Sequence, residues 1–183
     1  MATEQSTALL IAAIRRGERK AQEQFLRQYA PTLFSSIVRL VGNTAEVEEL
    51  TQDALLKALQ HIHEFDPARS RMQTWLSRIA YNLAISHLRR RTARPTSPLE
   101  DMSDLPDDDA MSPFEAESPS LLEQAMAELP PEDQHLLWLF YYDGLPLQEI
   151  AYITDRTPQS LATRLHRLRS RLKRIILKLK NQL

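Results

Sequence analysis

Apolar residues recur at helical spacing from early in the chain, with Leu9, Leu10, Ala13 and Ile14, then Phe25, Leu26 and Tyr29, then Leu33, Phe34, Ile37, Val38 and Val41. Gly17, Pro31 and the pair Gly42-Asn43 are the expected breaks. After Thr44, an expected N-cap, a helix with Val47, Leu50, Ala54, Leu55, Ala58 and Leu59 on one face turns Glu46, Glu48, Glu49, Gln52, Asp53 and Lys57 to the other. Phe65-Asp66-Pro67 opens a short loop carrying Arg69, Ser70 and Arg71. A further helix then runs through Trp75, Leu76, Ile79, Ala80, Leu83 and Leu88 and ends in Arg89-Arg90-Arg91.

Periodicity lapses between Pro95 and Ser118, where Pro95, Pro98, Pro106 and Pro113 are interleaved with Ser and Asp, so an extended, self-repelling linker is expected there. Order resumes near Leu121. Pro131 at N1, with Glu132 and Asp133 in the first turn, predicts a helix carrying Leu136, Leu137, Phe140 and Tyr141 and closed by Asp143-Gly144. A short helix from Leu147 to Ile153 follows, then a turn at Thr154, Asp155 and Arg156. Thr157 as N-cap and Pro158 at N1 start a long helix striped by Leu161, Leu165, Leu168, Leu172, Ile175 and Leu179. With three glycines and no alternating apolar pattern, the fold class is all-α: two small helical domains joined by an acidic flexible linker, with boundaries at 1–94, 95–118 and 119–183.

Charge sharpens this division. The formal net charge is -1, yet twelve acidic residues and no Lys or Arg lie between Pro95 and Asp133. From Arg156 onward the pattern inverts: Arg164, Arg167, Arg169, Arg171, Lys173, Arg174, Lys178 and Lys180 follow without an acid. A polyanion is the natural partner of such a helix. The acidic stretch could also fold back on a basic domain and mask it in the free protein. At 100° per residue, Ser160, Thr163, Arg164, Arg167 and Arg171 fall on a face away from the leucine stripe. A short helix, a tight turn and a basic helix form a helix-turn-helix, whose second helix enters the major groove. The alternative is an amphipathic solvated helix or coiled-coil strand.

The chain has no cysteine, which excludes disulfides and thiolate metal sites and fits a reducing compartment. No apolar run approaches the ~20 residues that span a bilayer, so a cytoplasmic protein without membrane insertion is expected. His61 and His63 should point to different sides of a helix, and His87, His135 and His166 stand alone as satisfied or exposed residues. With no Gly-rich phosphate loop, Gly-x-Ser-x-Gly or His-Glu-x-x-His, no catalytic residue, metal ligand or cofactor is expected, and the protein reads as no enzyme.

Three segments in order resemble the bacterial RNA polymerase sigma factors of the extracytoplasmic-function group (group IV) of the sigma-70 family. They are Glu48-Glu49-Leu50-Thr51-Gln52-Asp53-Ala54-Leu55-Leu56-Lys57-Ala58, then Trp75-Leu76-Ser77-Arg78-Ile79-Ala80-Tyr81-Asn82 with Leu88-Arg89-Arg90-Arg91, and lastly Leu129-Pro130 through Glu149-Ile150-Ala151 to Ser160-Leu161-Ala162-Thr163-Arg164-Leu165. Met72, Leu55 and Pro146 depart from the residues usual in that family.

The resemblance implies that Glu48, Glu49, Gln52, Asp53 and Lys57 dock on core RNA polymerase. It implies that Phe65, Arg69, Arg71, Trp75, Arg78, Asn82, Arg89, Arg90 and Arg91 capture and melt the minus-ten promoter element as single strand. Gln159, Ser160, Thr163, Arg164, Arg167 and Arg171 would read the minus-thirty-five element as duplex. An anti-sigma partner is a further inference from the family, and a monomer is the simpler expectation for the free protein. The rival readings are a stand-alone helix-turn-helix regulator with an N-terminal helical interaction domain, and an adaptor whose basic helix meets an acidic protein.

Overall fold

A computed structural model describes residues 2–42, 45–91 and 119–181 and, among them, contains helices and turns without a strand. The helices are α1 (Ala2–Arg15), α2 (Arg19–Val41), α3 (Glu46–Gln60), α4 (Met72–Arg91), α5 (Pro119–Ala127), α6 (Pro131–Leu137), α7 (Leu147–Thr154) and α8 (Pro158–Lys180). None of them is long and apolar enough to cross a membrane. The expected N-cap Thr44 and the Pro95 to Ser118 linker lie outside the described residues; Ala45 precedes α3 and makes no side-chain cap.

The first unit is a bundle of α2, α3 and α4. Phe25, Leu33 and Ile37 from α2, Val47 and Leu50 from α3, and Trp75 and Leu76 from α4 fill its centre. Ala54, Ala58, Ala80 and Ala84 are fully buried, and their small side chains let the helix backbones approach closely. Helix α1 packs Leu10, Ile11 and Ile14 on this bundle. Its Arg15 donates to the carbonyls of Ile62 (3.2 Å) and Phe65 (3.0 Å), closing the turn after α3.

Pro31 does not break the chain as expected, because α2 runs through it. A proline inside a helix costs about 3 kcal/mol. Phe25, Tyr29, Leu33 and Ile37 stay on one buried face only if the helix continues, and burying each stabilises by roughly 1.5–3 kcal/mol, so packing outweighs the local cost.

In the second unit, Leu136, Leu137, Ile150, Ile153, Leu161, Leu165, Leu168 and Leu172 form the core that the leucine stripe predicts. Helix α6 differs from expectation in giving way to a π-helical turn, Trp138–Tyr142, with Asp143 N donating to Trp138 O (2.9 Å). The wider turn sets Trp138 and Tyr142 edge to face, 4.4 Å apart, before Gly144 closes it with φ 63°. The buried side chains of both units merge into one continuous cluster where α4 lies on α7 and α2 lies on α6.

Candidate nucleic-acid interface

Helix α3 shows how its sequence sorts two faces. Val47, Leu50, Ala54 and Ala58 are buried, while Glu48, Glu49, Gln52, Asp53 and Lys57 are exposed along the other side. Leu56 stands among these polar residues at 55% exposure. Three acids in the first turn also suit the positive end of the helix dipole.

After α3 the chain turns sharply. Asp66 Oδ1 accepts from Ala68 N (2.9 Å), and the Asp66 carbonyl accepts from Arg69 N (3.1 Å). This side-chain-to-backbone turn holds Arg69 and Arg71 exposed. Phe65 and Trp75 lie beneath the loop, buried and edge to face at 5.5 Å. They therefore support the loop from inside and offer no open ring face. Asn82, Arg89, Arg90 and Arg91 are exposed along α4. Arg91 approaches Glu46 (3.8 Å), and Arg89 approaches Glu132 of the second unit (3.6 Å).

Arg78 is half-buried and turned into the second unit. It donates to the Tyr152 carbonyl (3.1 Å), pairs with Asp155 (3.1 Å), and lies 4.8 Å from the Tyr152 ring. Thr74 on the same face donates to Glu149 (2.7 Å). From α2, Arg39 pairs with Asp143 (3.0 Å) and packs over Trp138 (5.3 Å) and Tyr142 (5.7 Å). Nothing in the local pattern marks Arg39, since its partners are about a hundred positions away.

Helix α7 ends at Asp155, which adopts the left-handed conformation (φ 56°, ψ 42°) and is the one non-glycine residue with positive φ among those described. Thr157 caps α8 as expected, its hydroxyl accepting from Ser160 N (3.2 Å). Gln159, Ser160, Thr163 and Arg167 are exposed on α8, and Arg171 is half-buried. Arg164 is instead held at 2.6 Å by Asp133, a carboxylate only 1% exposed, and its own side chain is 18% exposed. Glu132 stands beside it, 3.4 Å from Arg156 and 3.9 Å from Arg164. The acids at 132 and 133, which read as helix-dipole partners, thus serve mainly as an arginine clamp.

The histidines correct two expectations. His61 and His63 do not diverge: the chain leaves α3 through a 3-10 turn, Ile62–Glu64, and their rings stack at 6.2 Å. Both face Glu64, at 2.7 and 3.7 Å, and the hydrogen bond with His61 lowers the Glu64 carboxyl below its ordinary range. Among the described residues no group of three suited to a metal ion occurs. His135 is neither exposed nor satisfied. It is buried under the Tyr81 ring (5.7 Å), Nδ1 has no partner, and burial, aided by nearby Arg39, pushes its pKa down to about 4. Burial, reinforced by Glu132, likewise raises the Tyr81 phenol.

Residues 25–94 match the family model for Sigma-70 region 2, and residues 120–172 match that for Sigma-70, region 4. The chain is 31% identical over 176 residues to the ECF RNA polymerase sigma factor SigM of Mycobacterium tuberculosis, covering 94% of this chain and 86% of that protein. It is 29% identical over 178 residues to the ECF RNA polymerase sigma factor SigW of Bacillus subtilis, covering 90% and 93%. Its fold is similar to CnrH, solved in complex with the cytosolic domain of CnrY (TM-score 0.60, 17% identity, 92% of this chain and 95% of that one). It is also similar to the sigma factor RpoE of Bartonella quintana, solved with the anti-sigma factor NepR (TM-score 0.59, 22% identity, 84% and 95%).

Proposed function

The chain belongs to the extracytoplasmic-function group of the sigma-70 family and directs RNA polymerase to promoters; on that premise we propose which of its surfaces carry each step. Residues 1–94 bind core polymerase and the minus-ten element, residues 119–183 bind the minus-thirty-five element, and 95–118 connect them. The observation that carries this assignment is that two faces of different chemistry remain exposed: the acidic face of α3 and the Gln159, Ser160, Thr163 and Arg167 face of α8.

Glu48, Glu49, Gln52, Asp53 and Lys57 dock on core polymerase, with Leu56 supplying apolar contact at their centre. In the minus-ten element, extruding a base costs a few kcal/mol. Arg69, Arg71 and Asn82 line the capture site above the Phe65–Trp75 pair, Arg78 joins them when released from Asp155, and Arg89, Arg90 and Arg91 hold the adjacent backbone. Helix α8 enters the major groove of the minus-thirty-five duplex, where Gln159, Ser160, Thr163 and Arg167 reach base edges and phosphates and Arg171 adds a phosphate contact. Arg164 orients α8 through Asp133. The protein works in the cytoplasm by binding, without chemistry of its own, and an anti-sigma protein is a fitting regulator.

Run-off transcription from a genomic promoter library, with purified core polymerase and with or without this protein, tests the reading. Protein-dependent transcripts sharing two spaced upstream elements support it. Absence of such transcripts, with duplex binding by the protein alone, supports the stand-alone regulator instead.

A further inference from the structure

The arginine loop after α3 is fixed along its length by backbone bonds and from below by rings. The Asp66 carbonyl accepts from Arg69 N (3.1 Å) and Ser70 N (3.3 Å), the Arg71 carbonyl accepts from Trp75 N (3.0 Å), and Phe65 packs edge to face on Trp75 at 5.5 Å. The entry to the loop has a further anchor that comes from outside the bundle. Arg15, the last residue of α1, donates from Nη2 to the carbonyls of Ile62 (3.2 Å), His63 (3.4 Å) and Phe65 (3.0 Å), which lie 47 to 50 positions along the chain.

A cation at the end of a helix pairs readily with its last carbonyls, and Ile62 and His63 fit that ordinary role. Phe65 does not. It lies past the 3-10 turn, and its carbonyl shares a planar peptide with the Asp66 nitrogen, so the bond from Arg15 fixes the plane from which the Asp66 turn starts. Arg69 and Arg71 follow in that loop and are exposed. Helix α1 is held independently of Arg15, because Leu10, Ile11 and Ile14 are buried against the bundle. It also lies ahead of residues 25–94, the span that matches Sigma-70 region 2, so that match gives α1 no part in promoter binding.

We infer that Arg15 is a positioning residue for the minus-ten capture site: by tying the Phe65 carbonyl to α1, it keeps the loop with Arg69 and Arg71 ordered before a base arrives. Ordering two long side chains in advance avoids a loss of about tenfold in affinity that would otherwise fall on binding. It also sharpens base choice, since contacts to a flipped base discriminate only when the groups that make them are fixed. The inference rests on the function proposed above, in which this loop meets the minus-ten strand.

The test uses holoenzyme assembled from core polymerase and the full chain, on a promoter recovered from the run-off library and on single-base variants of its two elements. With Arg15→Ala, preference for the parent minus-ten sequence should fall about tenfold at the captured base, while preference at the minus-thirty-five element stays unchanged. A lower folded fraction would scale every promoter alike and leave both preferences as they were. Arg15→Lys should restore most of the loss, because the three bonds leave from one nitrogen and an ammonium offers N–H donors from a single nitrogen too. The slope of log affinity against log salt should be the same for wild type and Arg15→Ala, whereas loss of a direct phosphate contact would lower it by about one. In the free protein, trypsin should cut after Arg69 and Arg71 faster in Arg15→Ala than in wild type.

Unchanged minus-ten preference in Arg15→Ala, an equal loss at both elements, or a salt slope lowered by about one each overturns the positioning role and leaves the proposed function standing. Unchanged trypsin cleavage shows that Arg15 does not order the loop, with the same consequence. Absence of transcripts from the wild-type holoenzyme overturns the proposed function, and the inference falls with it.

Discussion

Removing Arg164 should destabilise the second unit more than removing its partner Asp133, although Arg164 sits on the helix face expected to meet DNA. Asp133 is 1% exposed and one of its oxygens has no hydrogen-bond partner, so it depends on the 2.6 Å bond to Arg164. Arg164→Ala strands that carboxylate, and breaking a buried pair in this way costs about 3–5 kcal/mol. Asp133→Ala strands a guanidinium that is 18% exposed and keeps Glu132 at 3.9 Å, so its cost should be about 1–3 kcal/mol.

Urea unfolding followed by tryptophan fluorescence measures both, since Trp138 lies in the same unit. With an m-value of roughly 2 kcal/mol per molar, the midpoint should fall by about 1.5–2.5 M for Arg164→Ala and by about 0.5–1.5 M for Asp133→Ala. The double variant should cost less than the sum, because the second substitution removes the charge that the first left unpaired. Equal or reversed ranking, or an Arg164→Ala cost below about 1 kcal/mol, would falsify the clamp as the reason Arg164 is held.

Protonation of His135 offers a second test. Its folded pKa of about 4 lies below the ordinary 6.5, so the unfolded chain binds the extra proton first. Stability from this group is complete above about pH 6.5, declines as pH falls toward 4, and amounts to roughly 3 kcal/mol; His135→Phe should flatten that part of the pH profile in thermal melts. At the turn before α8, Asp155→Val should cost about 1–2 kcal/mol because a β-branched residue resists φ 56°, whereas Asp155→Gly should stay near wild type in calorimetry. Thr157→Ala should cost about 1 kcal/mol by losing the cap on Ser160 N, read as a lowered Tm. On α3, Glu49→Ala with Asp53→Ala should leave stability within about 0.5 kcal/mol, because both are exposed, while core-polymerase affinity in a titration falls about tenfold.

The elements and the faces of the helices were legible because their causes are local. Thr157 with Pro158 marks the start of α8, and the leucines from Leu161 to Leu172 mark its buried side. The acidic face of α3 is readable for the same reason. Pro31 misleads because its local penalty is outweighed by Phe25, Leu33 and Ile37, whose burial depends on α3 and α4. The π turn at Trp138 and the meeting of His61 with His63 are one-residue changes of phase, to which a periodic pattern is blind.

Illegible in principle were the pairs between distant positions. Arg39 with Asp143, Arg78 with Asp155 and Arg164 with Asp133 each join a cation and an acid that read separately as a solvated charge, a DNA contact or a dipole partner. A guanidinium presents the same planar fork to a carboxylate and to a phosphate, so residue type alone does not choose between an internal and an external anion. Burial does. Arg164, at 18% exposure against a carboxylate at 1%, is committed to the fold, whereas Arg78, at 34% against an Asp155 at 79%, has a partner that water and a phosphate can replace. The depth of the acid, more than that of the arginine, therefore separates the cations committed to the fold from those left available to an outside anion.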